Sequence, residues 1–432
     1  MGIRTFNNLS TSGLPMMSSR PENSPRLGIV WAIIFSVLAL SPVTVRADNW
    51  RDIVLPIELT VGYAVRVVDL SKDGKPDIAI VDSKRFVWLE NPTWQVHQMH
   101  GTPDAKADNV CFAPHDVDQD GDIDFAIGYD WQPNNTRDGG AVAWLESPAD
   151  PRQKWTLHAV SDQEPTMHRM SWADTDGDGK QELIALPLKG RGAVGPGWEN
   201  ETVHVSRWRV PAVPSDPWKE EVIESSLPVM HNFEVIDFDR DGRDDLLMAS
   251  FSGAHLWTLQ GPAMEKRLVH LGEGHRGIAP NLGASEIRMG QLDGQRRYIA
   301  TIEPWHGNQV VVYEQSPKVT DASVVAGMTP LWPRQIIDDQ LRWGHAVNCV
   351  NLDQDPEQEI VIGVRDDSTP QRFGVRIYDR EPSGKWNRGL VHPGQVAVED
   401  LTTADLDGDG LDEIIAVGRA THNAVIYTRS AP

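Results

Sequence analysis

Asp116-Val117-Asp118-Gln119-Asp120-Gly121-Asp122-Ile123-Asp124 places acidic side chains at alternate positions of a short loop, follows them with a glycine, and ends on a further carboxylate. Oxygen ligands spaced this way converge on one point once the glycine lets the chain turn sharply, and a hard cation such as calcium satisfies them. The pattern recurs. Asp69-Leu70-Ser71-Lys72-Asp73 ends at Asp77, Asp174-Thr175-Asp176-Gly177-Asp178 at Glu182, Asp237-Phe238-Asp239-Arg240-Asp241 at Asp245, and Asp405-Leu406-Asp407-Gly408-Asp409 at Glu413. A weaker copy runs from Asn351 through Asp353 and Asp355 to Glu359, and the most decayed one from Gly290 to Tyr298. These last two have lost ligands and are expected to bind weakly or not at all. Helix-flanked calcium loops open with the same residues, but here the final acid comes early and β-rich runs stand on both sides.

Successive copies lie about 47 to 63 residues apart, a period that signals a repeat architecture. Around each loop lie four short β-rich runs. The first two bracket the loop, the third often ends in an aromatic, as in Phe86-Val87-Trp88-Leu89 and Ala141-Val142-Ala143-Trp144, and the fourth opens near Trp94, Trp155, Trp218, Trp332 or Trp386. Four strands per repeat and seven repeats predict an all-β, seven-bladed β-propeller over residues 48–432. The last copy reaches the end of the sequence after three strands, while Trp50-Arg51-Asp52-Ile53-Val54 has the look of a fourth strand with no blade of its own. The ring is therefore expected to close through this N-terminal strand, which removes exposed sheet edges.

Arg4, Arg20 and Arg26 precede the apolar run Leu27–Leu40, and Val45-Arg46-Ala47 offers small residues for cleavage. Residues 1–47 are read as a signal peptide, which predicts a secreted or periplasmic protein with no stable membrane insertion after cleavage. An uncleaved anchor is the alternative. Cys111 and Cys349 are too few and too far apart for a disulfide framework. The formal net charge of −22 argues against nucleic acid and anionic membranes as partners.

Six residues before the first loop position stand Tyr63, Val110, His168, His231, Ala284, His345 and Glu399, in blade order. Three of the 14 histidines thus share one register, at the start of the innermost strand, where the blades converge on the axis. His168, His231 and His345 are expected to ring that mouth, and three imidazoles with an open position form a zinc-like site. Glu286, Glu399 and Asp400 fall near the same level. Loops expected at this face carry Tyr129, Asp130, Trp131, Lys189, Arg191, His306, Arg365 and His422, with His275 and Arg276 in a blade connection. Aromatic and cationic groups together suit a carbohydrate or small sugar.

The loops resemble VCBS/FG-GAP repeats of the integrin α-subunit kind, a likeness that implies the fold and structural calcium but no activity. The segments Pro165-Thr166-Met167-His168, Val229-Met230-His231-Asn232 and Trp343-Gly344-His345-Ala346, with the Trp-Leu-Glu third strands, are similar to the N-terminal propeller of the aldos-2-ulose dehydratase family. That resemblance implies a carbon–oxygen lyase eliminating water from a keto-sugar. His168, His231 and His345 would hold the metal, Tyr129, His306 or His422 would serve as base or acid, and Lys189, Arg191 and Arg365 would grip substrate. A polysaccharide lyase on a uronate is a close variant. The rival is a non-catalytic, calcium-stabilised binding or adhesion propeller. In the family, cupin-type domains follow the propeller, and chemistry assigned to them is not expected of the repeats.

Overall fold

The computed structural model describes residues 50–429 except 102–107, 295, 354, 366–371 and 392–393. The expected signal segment lies outside the described residues. Among those described, no helix is long and apolar enough to cross a membrane.

Seven four-stranded antiparallel sheets follow one another along the chain. Blade 1 comprises Gly62–Val68, Asp77–Asp82, Arg85–Glu90 and Gln95–Gly101, and blades 2 to 6 repeat this plan. Blade 7 takes Val398–Ala404, Glu413–Gly418 and Ala424–Arg429 from the end of the chain and Trp50–Val54 from its start, with Trp50 opposite Arg429 and Val54 opposite Val425. First strands of consecutive blades touch around the whole ring, blade 7 to blade 1 included. A single helical turn, Asp321–Val325, interrupts the pattern, capped by the Thr320 side chain.

The second strand of each blade is buried on both faces, as in Asp77–Asp82 and Glu413–Gly418, so it reads as an unbroken apolar run between acids. Fourth strands are half exposed and begin beside their tryptophans. The indoles of Trp155 and Trp218 donate to the carbonyls of Pro151 and Pro214, four residues earlier, at 2.9 and 2.8 Å. The large rings Trp88, Trp257, Tyr313, Tyr378 and Tyr427 fill the spaces between blades and are at most 1% exposed.

The acidic loops turn between first and second strands as the spacing requires. In blades 1 to 4 and 7 their fourth and sixth positions are left-handed, for example Lys72 and Gly74 at φ 60° and 84°, or Gln119 and Gly121 at 63° and 90°. The sixth-position glycine is thus needed for its conformation. Its N–H donates to the first carboxylate, as Gly121 does to Asp116 at 3.0 Å and Gly242 to Asp237 at 3.1 Å. The closing acid is buried and accepts the N–H of the second loop position, as Asp124 does from Val117 and Asp245 from Phe238, both at 3.0 Å.

Candidate functional site

Where each first strand begins, five blades break register at one place. The extra residue opposite the second strand is Tyr63, His168, His231, His345 or Glu399. The bulge reorients one side chain without shifting the strand that follows. In blade 5, Ser285 and Glu286 both bond to Ile302 before Ile287 pairs with Thr301. The bulge place that sequence alignment gave to Ala284 therefore falls on Ser285, with Glu286 next to it. The decayed loop caused this slip: its buried second position is Leu292, which makes Gln291 rather than Gly290 the first.

The bulges and one loop bring four histidines together. Ring centroids of His231 lie 4.5 Å from His168, 4.5 Å from His306 and 5.0 Å from His345. Ligand nitrogens of His231, His306 and His345 all lie within 4.8 Å of one another. The geometric trio thus contains His306, read from sequence as a base or acid, in the place expected for His168. His306 comes from the loop between the second and third strands of blade 5, held at φ 51° with Trp305 stacked on it at 4.4 Å. Loop position carried no register signal, so alignment of inner strands could not find it. His168 keeps to the edge of the group, with Trp131 at 6.1 Å and the Arg169 guanidinium 3.4 Å from its Nε2.

The hydrogen bonds assign the tautomers. Arg365 can only donate, and its Nη2 lies 3.1 Å from His306 Nδ1, so His306 carries its proton on Nε2. That proton points at His231 Nε2, 2.7 Å away. His231 is then protonated on Nδ1, which stands 2.7 Å from Glu286 Oε1 but off the line of a good hydrogen bond, so both buried atoms lack a hydrogen-bond partner. His345 donates from Nδ1 to the Glu399 carbonyl at 2.6 Å, and His168 from Nδ1 to the His231 carbonyl at 2.9 Å. His345 thus keeps Nε2 for a ligand, the arrangement usual in metal-bound histidines, whereas Arg169 Nη1 stands against His168 Nε2. Burial, then neighbouring guanidinium and imidazole groups, hold all four imidazoles well below their usual range, and so neutral. Burial pushes the Glu286 carboxyl upward against the opposing pull of Arg169, and the Asn232 amide bonds it at 2.5 Å.

Three neutral imidazoles, one buried acid and two orphaned polar atoms fit a borderline metal such as zinc. The fit is not passive. Two nitrogens on one tetrahedral zinc stand about 3.3 Å apart, so His231 and His306 must separate by about half an ångström. Coordination through His306 Nε2 would also turn an N–H toward Arg365, which would have to yield.

Of the other residues singled out in the sequence, Arg365 and His422 reach the site. Arg365 binds Glu399 through Nη1 at 3.0 and 3.2 Å, Arg419 shares that carboxylate at 2.9 Å, and His422 borders the same cavity. Tyr129 is half-buried against the core of blades 1 to 3. Lys189 is buried under Trp198, with its ammonium 3.8 Å from the ring centroid and bonded to the Pro133 carbonyl, and burial lowers it to about 8. Arg191 ties the carbonyls of Arg137 and Gln163. These three are built into their own loops and not into the histidine group. Tyr63, in the same bulge register, donates to Asp108 at 2.7 Å.

At the opposite face, carboxylates of Asp116, Asp118 and Asp124, of Asp174, Asp176 and Asp178, and of Asp237, Asp239 and Asp245 lie within 4.8 Å of one another. So do those of Asp353, Asp355 and Glu359, in the loop expected to be weak. Buried oxygens of Asp69, Ser71, Asp116, Asp176 and Glu359 lack a hydrogen-bond partner, a deficit that a cation would satisfy. Burial pushes Asp124 and Asp245 up to about 7 and Glu359 to about 8. Blade 3 differs: Arg209 bonds Asp176 at 2.5 Å and Glu182 at 2.7 Å, bridging two would-be ligands. In blade 5, Arg296 occupies the carboxylate of Asp293.

Residues 139–316 match the model of the aldos-2-ulose dehydratase β-propeller domain. This chain is similar to that propeller. Aldos-2-ulose dehydratase from Phanerodontia chrysosporium is 24% identical over 303 residues, which are 64% of this chain and 32% of the relative. The chain spans about a third of that enzyme's length. The match to the aldos-2-ulose dehydratase propeller takes in His168, His231, Glu286 and His306, and ends before His345.

Proposed function

We propose that the mouth of this propeller is the site of a carbon–oxygen elimination on a keto-sugar or uronate, assisted by a zinc-like ion. The observation that carries this is the neutral group His231, His306 and His345, the first and last buried and His306 partly so, with Glu286 and Arg365 against it. A role in carbohydrate dehydration agrees with the similarity to aldos-2-ulose dehydratase.

Bound there, the ion would polarise the carbonyl beside the C–H to be broken. The chain's own groups supply the rest. Glu286 and the Glu399 carbonyl orient His231 and His345. Arg365, with Arg419 beside it, can hold the oxygen that gains negative charge. His422 faces the cavity with Nδ1 engaged at 2.8 Å by the Thr60 carbonyl, which leaves Nε2 able to take the proton. As the C–O bond breaks, the same nitrogen can return it to the departing oxygen, which leaves as water or as a free sugar hydroxyl. Calcium in the acidic loops serves the scaffold, and the protein works outside the cytoplasm once residues 1–47 are removed.

A second reading is favoured by one feature. The run Arg365–His306–His231 is complete as a hydrogen-bonded chain, so the mouth can also persist without metal as a carbohydrate- or protein-binding site. Elemental analysis of protein purified without added zinc separates the two. About one transition metal per chain, lost together with elimination activity in His231→Ala/His306→Ala/His345→Ala, supports the lyase. Calcium alone, with turnover absent, leaves the binding module.

A further inference from the structure

The acidic loop of blade 6 departs from the repeat pattern at two places at once. Its first position is Asn351, which has no carboxylate, and its sixth is Pro356, which has no N–H. In blades 1 to 4 and 7 a hydrogen bond joins these positions, the glycine N–H donating to the first aspartate, as Gly74 does to Asp69 and Gly410 to Asp405, both at 2.9 Å. Donor and acceptor are thus lost as a pair, and the Asn351 amide donates instead to the Asp355 carbonyl at 2.5 Å. The rest of the loop keeps its shape. The N–H groups of Leu352, Asp355 and Glu357 donate to Glu359, Asp353 and Asp355 at 2.5, 3.2 and 3.0 Å. Blade 2 makes the same three bonds, from Val117 to Asp124, Asp120 to Asp118 and Asp122 to Asp120.

The carboxylates of Asp353, Asp355 and Glu359 consequently still converge, within 4.8 Å of one another. Glu359 is 0% exposed. Its Oε2 accepts the Leu352 N–H, but its Oε1 has no hydrogen-bond partner and lies beside two other acids. A buried oxygen in that position is costly unless a positive charge meets it.

In blade 3 a guanidinium meets the need, because Arg209 follows Trp208, which lies opposite Leu183. The matching residue of blade 6 follows Tyr378, opposite Ile360, and is Asp379, an acid. Two other guanidinium groups stand near. Arg380 bonds Glu314 at 3.3 and 3.4 Å. Arg429 is close enough for its charge to reach Glu359 and Asp353, yet it bonds neither and lies over Trp50, 5.2 Å from the ring centroid. Blade 5 is the contrast: its loop retains Asp293, and Arg296 occupies that carboxylate.

We infer that the blade 6 loop is a cation site in its own right, holding a calcium-like ion through Asp353, Asp355 and Glu359. Its two departures from the pattern form one matched exchange that leaves the ligand oxygens in place. Hard carboxylate oxygens on a short loop suit calcium.

The test is the calcium content of protein stripped with a chelator and then dialysed against calcium. Glu359→Gln, which keeps the size of the side chain, should hold about one calcium per chain fewer than wild type. Should that variant fail to fold, Asp355→Asn, at a partly exposed position, reads the same loss. Asn351→Asp/Pro356→Gly, which restores the repeat pattern, should hold as many calcium ions as wild type. An unchanged count on removal of the carboxylate overturns the inference and leaves Arg429 as the counter-charge. A gain of about one calcium in the restored loop also overturns it, since the native loop would then be without an ion.

Discussion

The Nε2 atoms of His231 and His306 stand 2.7 Å apart, closer than two ligands of one zinc ion and right for one shared proton. A metal and that proton compete for the same place. Metal uptake at this mouth therefore requires His306 to carry its proton on Nδ1 and Arg365 to draw back, so Arg365→Gln should raise metal affinity in a zinc-chelator competition.

The geometry ranks the histidines differently from the sequence register. Single His231→Ala, His306→Ala and His345→Ala proteins should each lose the transition metal, while His168→Ala retains most of it. Elemental analysis of the four purified proteins checks the order. Loss in His168→Ala with retention in His306→Ala would restore the register trio.

Glu286 lies against His231 and is bonded by Asn232, so it acts through the imidazole as a positioning residue. Glu286→Gln should lower metal affinity about 10- to 100-fold, the usual effect of losing such a partner, with the fold intact by circular dichroism. An unchanged zinc-chelator competition curve would show that Glu286 does not orient His231.

Arg209 sits between Asp176 and Glu182, where a cation would sit in the other loops. Arg209→Ala should add about one calcium per chain and make thermal stability more sensitive to chelators. The same calcium count in both proteins would mean that the guanidinium and the ion coexist.

His255 stacks on His270 at 4.5 Å, and burial lowers its imidazole to about 4. The folded state therefore keeps it neutral while the unfolded chain takes a proton near 6.5. This group's contribution to stability is complete above about pH 6.5 and is lost as the pH falls toward 4. Between pH 7 and pH 5 the loss is about 1–2 kcal/mol. Urea midpoints of wild type and His255→Leu at both pH values measure it, and the variant should show the smaller drop.

The fold was legible because its determinants are local and repeated. Each Asp-x-Asp-x-Asp-Gly run marks one turn, and the lone strand at Trp50 has one blade lacking a fourth strand to complete. The site was legible only where it follows the repeat. His231 and His345 were visible as a shared register, and Glu286 was placed near their level although the loop that follows it has lost its acids and slips the alignment by one residue. His306 could not be found this way, because its place is fixed by a left-handed turn and by Trp305, which no inner-strand alignment records. Tyr129, Lys189 and Arg191 have suitable chemistry at suitable loop positions, yet their partners are the neighbouring loops and core.

At the mouth, His168, His231, His345 and Glu399 are each the surplus residue of a bulge, standing outside the alternation that fixes which side chains enter the blades. Their identities are thereby freed from the alternation within a blade, while His168 and His345 tie their own blade to the backbone of the next. A propeller of this design can exchange reactive groups one blade at a time while its scaffold sequence stays the same, so differences among such mouths report on chemistry and not on folding.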